Sequence, residues 1–575
     1  MRHLLGFLKP YRRQIGLAVA LVFLQSLAEL YLPTLMASIV DEGVVPGNTA
    51  HIWRVGGWML VVAALGVAAA ASATYFAART ANGFGRDVRR RVFQQVSRFS
   101  LSELHQLGTA TLITRTTNDV AQVQQVVFMM MRLMISAPLM AVGGVVMAVS
   151  KDRVLSLVIV AVVPLLALVI GLIAAKAMPL FRALQDKIDG LNRIVRELLT
   201  GVRVVRAFNR SDYEHRRFTA ANRDLTETAI RVFRLMGATM PLMMVLLNMT
   251  TVAVMWFGGW RVAGGRLQVG DLMAFIQYVM FIMFSLLMVS MMLVILPRAA
   301  VSASRIHQVL TTAPSIEDEA GARPVPVRRG VVEFRRVTFQ YPGAEQPALQ
   351  DISFRAEPGQ TTAIIGGTGS GKTTLVHLLV RFFDPTGGQV LVDGVDVRRQ
   401  TQADLRRAIG YVPQQAMLFS GTIADNIRYG REEATDEEIE RAAAAAQALE
   451  FIRSLPEGFN TMVAQGGTNL SGGQRQRLTI ARALVRRPRI YVFDDCFSAL
   501  DAQTDAAVRA ALRRETQDAT VIIVAQRVST VMHADQIIVL DEGKMAGIGT
   551  HQELLRTCPV YREIVISQLG EEAAA

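Results

Sequence analysis

Apolar positions are spread very unevenly along this chain. Before about residue 300 they gather into six runs, at about 14–39, 55–78, 126–149, 154–175, 239–262 and 272–296. Each is long enough to cross a hydrocarbon layer, which takes about 20 apolar residues at helical rise. The runs come in pairs joined by short connections. About fifty residues separate the second from the third and roughly sixty the fourth from the fifth, far more than neighbouring helices need. Those intervals are periodic too. Arg86-Asp-Val-Arg-Arg-Arg-Val-Phe-Gln-Gln-Val96 and the stretch 182–206 carry apolar and Arg-rich positions at helical spacing. The spans are therefore expected to continue past the membrane as cytoplasmic helices. The pattern breaks at Ser100–Leu107 and Asn209–Phe218, and residues 1–10 read as a short amphipathic helix lying on the membrane surface.

After residue 310 the pattern changes. Residues 311–330, with Pro314, Pro324, Pro326 and an acidic cluster at 317–319, read as a linker. From 331 to 575, short β-rich runs alternate with helical ones, the signature of an α/β domain. The expected architecture is a six-helix membrane domain (1–310) followed by an α/β phosphate-loop domain (331–575). Composition supports the division: 51% hydrophobic residues is too apolar for an ordinary soluble chain of 575 residues.

A net charge of +13 by itself suits a nucleic-acid partner, but none is expected here. The Arg clusters lie between apolar runs, where cytoplasmic loops of membrane proteins concentrate positive charge. Arg86, Arg89, Arg90, Arg91 and Arg98 place the interval after the second span in the cytoplasm. An even number of spans returns the chain there, so the expected location is a bacterial inner membrane with the α/β domain in the cytoplasm. Two cysteines, Cys496 and Cys558, offer neither a disulfide framework nor metal-ligand spacing.

Candidate chemistry begins at Gly366-Gly367-Thr368-Gly369-Ser370-Gly371-Lys372-Thr373, which fits G-x4-G-K-[ST] throughout. A strand-like run, Thr361–Ile365, precedes it, and a helical run opens at Thr374. In that setting glycines let backbone N–H groups wrap phosphates at a helix N-terminus. Lys372 is then expected to reach the outer phosphates of ATP, and Thr373 to ligate Mg2+. Downstream, the hydrophobic run 489–493 delivers Asp494 and Asp495 to a strand end, where Asp494 is expected to hold Mg2+ through water.

Between these lies Leu470-Ser471-Gly472-Gly473-Gln474. The three segments in this order resemble the ATPase domain of ATP-binding-cassette (ABC) proteins, and with six spans in front the whole chain resembles an exporter-type half-transporter. The resemblance implies that Tyr341 stacks on adenine, with Phe339 as an alternative, and that Gln414 contacts Mg2+ and reports nucleotide to the membrane domain. Leu470–Gln474 would complete the ATP site of a partner, and Asp501 would link the two sites. The segment 206–214 resembles the coupling segment that touches the ATPase domains; Ser100–Leu107 is placed as its counterpart by position alone.

Two positions depart from that family. Asp495 stands where the general-base glutamate is usual, and Gln526 where a histidine is usual. Aspartate is one methylene shorter, and a base must come within hydrogen-bond reach of the attacking water. A glutamine can donate a hydrogen bond to the γ-phosphate but cannot become cationic. Gln465 also replaces a family glutamate. The resemblance therefore implies the degenerate-site half of a heterodimeric exporter, its partner carrying the missing Glu and His. Alternatives are a homodimer with slow hydrolysis, an exporter-fold importer of the siderophore type, and an ATP-gated regulator or channel.

The substrate expectation is a hydrophobic or amphipathic molecule. Methionines are dense in the third, fifth and sixth spans, for instance Met240, Met243, Met244, Met249 and Met255. Such flexible thioethers suit varied apolar ligands, and suit lipid-facing surface equally well. Glu29, Arg132, Asn248 and Gln277 lie inside spans and should face a cavity, a partner or each other.

Overall fold

A computed structural model describes residues 2–319 and 326–570, apart from the side chains of a few positions including Ser290 and Met291. Part of the expected linker, with Pro324, lies outside the described residues. The chain forms two compact units, one of residues 1–97 and 109–312, the other of residues 98–108 and 313–575.

In the first unit the apolar runs become helices that far outlast a bilayer. They include Thr49–Val96 (48 residues), Leu157–Thr200 (44 residues) and Ser211–Ala263 (53 residues). At 1.5 Å per residue the longest is about 80 Å, against the ~30 Å of a hydrocarbon core. Among the described residues, six helices are long and apolar enough to cross a membrane. The helix Arg2–Tyr11 that precedes them is of the tighter 3-10 type.

The third span packs most extensively on the sixth, where small residues permit close approach. An added Cβ at Gly144 would stand 2.9 Å from Ile282, and one at Gly143 would stand 2.3 Å from Leu30 of the first span. Tyr278, fully buried, ties the sixth span to the first through Thr34 Oγ1 (2.7 Å) and the Leu30 carbonyl (3.2 Å). The fourth and fifth spans pair mainly with each other and leave long apolar faces exposed, among them Val160, Leu168 and Met249.

The second cytoplasmic turn falls earlier than the sequence suggests. A short helix, Val202–Ala207, follows Gly201, and the chain reverses at Phe208–Arg210 with Asn209 at φ 51°. Most of Asn209–Phe218 instead opens the fifth long helix at Ser211, where Asp212 and Glu214 complement the positive end of the helix dipole. The first turn is a helix, Leu101–Leu107, and it belongs to the second unit. Ser100 and Glu103 form a reciprocal cap, Glu103 accepts the Ser315 backbone N–H (3.2 Å), and Leu101 packs on the core of that unit.

The second unit is built around a six-stranded sheet. Its order is Lys544–Gly549, Gln536–Asp541, Thr361–Gly366, Thr520–Val524, Ile490–Asp494, Ile409–Val412, parallel apart from the first strand. The central strands are buried on both faces, and so they read as continuous apolar runs rather than alternating ones. A four-stranded antiparallel sheet, including Val332–Phe339 and Leu349–Ala356, covers one side.

Candidate nucleotide site

Four neighbouring parallel strands end at one edge, and each delivers one component there. Thr361–Gly366 runs into the glycine loop, Ile490–Asp494 ends in the acidic pair, Gln526 lies two residues past Val524, and Gln414 two past Val412. Ligand clefts of open α/β sheets form outside the carboxyl ends of parallel strands for this reason. The cleft, about 310 Å³, is lined by Tyr341, Thr368, Gly369, residues 371–374, Gln414, Asp495 and Gln526.

The loop needs its glycines. Gly369 and Gly371 take φ 84° and 95°, and a Cβ on Gly366 would meet the Leu540 carbonyl at 2.1 Å. Gly367 has open space around its Cα, leaving its backbone accessible. Ser370 Oγ is buried without a hydrogen-bond partner among the described residues. Lys372, N-terminal in the helix Lys372–Leu379, reaches the carbonyls of Gly366 (2.9 Å) and Gly367 (2.7 Å). Burial holds its ammonium below the usual lysine range, opposed by Asp495 and Asp494.

Thr373 Oγ1 donates to Asp494 Oδ1 (3.1 Å), so hydroxyl and carboxylate converge as hard oxygen donors. Burial pushes the Asp494 carboxyl up despite that bond. Tyr341 hydrogen-bonds Thr374 (2.9 Å) and stands partly open at the cleft, whereas Phe339 is buried beneath it at a ring-centroid distance of 4.8 Å. Of the two candidate stackers, Tyr341 is the one with a face to offer.

Asp495 is the centre of the arrangement. It takes φ 45°, and its N–H is spent on the Val524 carbonyl (2.9 Å). Its Oδ2 accepts from Gln414 Nε2 (3.3 Å) and from Gln526 Nε2 (3.2 Å). Burial raises its carboxyl above the ordinary range, while Gln414, Lys372 and Arg527 act against that rise. Both departures from the family pattern therefore meet in one contact.

Leu470–Gln474 contributes nothing to the lining of this cleft. Leu470 is buried, and Ser471 caps the helix Gly472–Arg486 reciprocally with Gln474, N–H to Oγ 3.2 Å and N–H to Oε1 2.9 Å. Gly472 faces open space, and a Cβ on Gly473 would make only ordinary contact with Ala499 and Leu500. The result is an uncovered helix N-terminus, suited to an anion. Asp501 is itself a cap, accepting from the N–H (2.9 Å) and hydroxyl (2.7 Å) of Thr504.

Residues 15–287 match the family model described as the ABC transporter transmembrane region, and residues 349–498 match the ABC transporter model. An ABC transporter ATP-binding protein of Mycobacterium tuberculosis is 48% identical over 565 residues, covering 98% of this chain and 97% of the relative. The chain belongs to the ABC transporter family. An ATP-dependent lipid A-core flippase of Xanthomonas campestris is 32% identical over 579 residues, covering all of this chain and 97% of the flippase. The structure of a bacterial Atm1-family ABC exporter with ATP bound superposes with a TM-score of 0.80 at 28% identity, over 98% of this chain and 99% of that one. This ABC protein is thus an exporter half-transporter, a multi-pass membrane protein whose cytoplasmic domain couples ATP hydrolysis to transport.

Not every polar residue of the spans joins a site. Arg132 donates to the Ala70 carbonyl (3.0 Å) and to Thr74 of the second span, a clasp between helices. Glu29 accepts only from Gln25 of its own helix (2.8 Å) among the described residues. Asn248 and Gln277 are exposed on this chain, Gln277 within 3.9 Å of Met36 Sδ. Behind the acidic pair, Tyr411 is the group that motif reading passes over: its hydroxyl approaches Asp494 Oδ2 at 3.4 Å. Its place three residues before Gln414 was the available signal.

Proposed function

We propose that this chain is the weakly hydrolytic half of a heterodimeric exporter of hydrophobic or amphipathic molecules. The carrying observations are the Asp495 carboxylate held between the Gln414 and Gln526 amides and an intact Leu470–Gln474 segment. Two amide donors on one oxygen fix the shorter side chain against the cleft wall, so it lacks both the reach and the freedom to take a proton from attacking water. ATP would bind this cleft through Tyr341, the glycine loop and Lys372. Thr373, Asp494 and Gln414 present the oxygens that would hold Mg2+, which supplies charge neutralisation on the phosphates when bound.

Ser471, Gly472, Gly473 and Gln474 would complete the site of a non-identical partner that carries the Glu and His absent here. A multidrug efflux ATP-binding/permease protein of M. tuberculosis, 34% identical over 573 residues, supports the pairing: this chain covers 47% of its length, leaving room for a second half. Its name and that of the flippase support an apolar or amphipathic substrate. The Leu101–Leu107 helix and the turn at Val202–Arg210 are the segments proposed to carry closure of the ATPase domains to the spans.

The test is ATPase activity of the chain alone and with a candidate partner, each with and without Asp495→Glu plus Gln526→His. The chain alone should be nearly inactive, the pair active, and the double substitution should add turnover at the second site. Brisk hydrolysis by the unmodified chain alone would overturn the proposal.

A further inference from the structure

On the side of the spans away from the cytoplasm, the turn between the third and fourth spans meets the end of the fifth. Between them is a groove of about 500 Å³ whose walls are Val154, Leu157, Val158 and Phe257, with Trp260 beside them and Arg261 and Arg266 at the polar edge. Its size is that of a small-ligand site. Its walls face outward: Leu157 is 64% and Trp260 73% exposed. Trp256 and Trp260 close the fifth span, and tryptophan at a helix end marks the headgroup level of a bilayer.

The two arginines differ in how they are held. Arg261 Nε donates to Asp152 Oδ2 (2.6 Å), and Asp152, buried, also accepts the Leu155 N–H (2.8 Å). That pair pins the fifth span to the preceding turn and leaves further guanidinium donors of Arg261 available. Arg266 is exposed, and no carboxylate among the described residues lies within 4.0 Å of it. Two guanidiniums against one carboxylate leave the groove one charge positive at an apolar, membrane-level surface.

We infer that this groove binds an anionic phospholipid of the outer leaflet, its phosphate bridging Arg261 and Arg266 and its acyl chains lying along Val154, Leu157 and Phe257. Planar guanidinium forks match phosphate oxygens in pairs, and exposed apolar walls next to them suit an acyl chain better than a free anion. The lipid would join the turn after the third span, through Asp152 and Arg261, to the turn after the fifth, through Arg266. The inference is independent of how the ATP sites are shared.

The full-length transporter with Trp260 as sole tryptophan (Trp53→Phe, Trp58→Phe, Trp256→Phe) tests it in phosphatidylcholine nanodiscs. A minor fraction of brominated phosphatidylglycerol should quench Trp260 about fivefold more effectively than the same fraction of brominated phosphatidylcholine, as one nearby basic residue implies. Arg266→Gln should remove that preference and Arg266→Lys should keep part of it. Equal quenching by the two lipids would reduce the groove to ordinary lipid contact. Absence of quenching by either would mean a second copy covers it. Either result overturns the inference.

Discussion

The two ends of the ATPase unit carry opposite marks. At the strand edge, the glycine loop, Lys372 and Asp494 gather, and Asp495 and Gln526, the two departures from the family pattern, are hydrogen-bonded to each other. At the start of the Gly472–Arg486 helix nothing is altered, and the capped terminus stands uncovered. On the proposed reading, one chain carries a cleft that holds nucleotide and a surface that acts on a partner's. A protein can relax one half-site without relaxing the other only if the two serve different nucleotides.

The largest effect should come from the uncovered end. Gly473→Asp places a carboxylate where a phosphate would dock, and the space around Gly473 makes the change sterically mild. An acidic residue in the first turn also favours the helix, so folding should survive. In an active assembly ATPase turnover should fall by about a hundredfold or more, the scale for losing a preorganised anion site. Lys372→Ala, in the cleft, should cost less than about tenfold in the same assay. A larger loss from Lys372→Ala would reverse the assignment of the two ends.

Next in size is Asp495→Asn. Because burial raises this carboxyl, the ionised form is penalised in the folded state. Its contribution is favourable below the ordinary aspartate range, 3.8, and is lost as pH rises through the raised folded value. Near neutrality the amide removes that penalty and keeps an acceptor for Gln414 or Gln526. Thermal denaturation without nucleotide should therefore show a higher Tm for the variant, with turnover of the active assembly nearly unchanged. A large loss of turnover would make Asp495 a working base.

Much of the cleft was legible because its parts are local. The loop 366–373 states its glycines, lysine and hydroxyl in eight consecutive residues, and the strands before it and before Asp494 and Gln526 each carry a short run of apolar residues. What escaped depends on neighbours distant in sequence. The Asp495–Gln526 contact joins residues 31 apart, and the Tyr411–Asp494 approach joins residues 83 apart. Arg132, expected to face a cavity, a partner or another polar group, has acceptors at Ala70 and Thr74 of the second span, 62 and 58 residues away. The second cytoplasmic turn was misplaced because Gly201 and the acidic first turn at Ser211 outweigh the apparent change of pattern at Asn209.

A smaller effect should separate Ser471's two parts. As a cap it stabilises the Gly472–Arg486 helix, and Ser471→Ala should cost about 1 kcal/mol in chemical denaturation. Asp501→Ala removes a comparable cap and should cost a similar amount. If Ser471 also meets a partner's nucleotide, its alanine variant should lose assembly ATPase well beyond what the stability change explains.

The smallest expected effect is a pH dependence confined to the cleft end. His377, in the helix after the glycine loop, is half-buried, its Nδ1 enclosed with no hydrogen-bond partner among the described residues, and its Nε2 approaches the Tyr411 hydroxyl at only 3.5 Å. Burial, and then His105, hold its pKa below the ordinary 6.5. The unfolded chain therefore takes up this proton first, and stability falls as pH drops from about 6.5 toward the lowered folded value. Amide exchange read segment by segment should show Lys372–Leu379 losing protection over that window, while Gly472–Arg486, which contains no histidine, should not. His377→Gln should flatten the response. Equal loss in both helices would show that the two ends open as one cooperative unit, and their difference would then lie in chemistry alone.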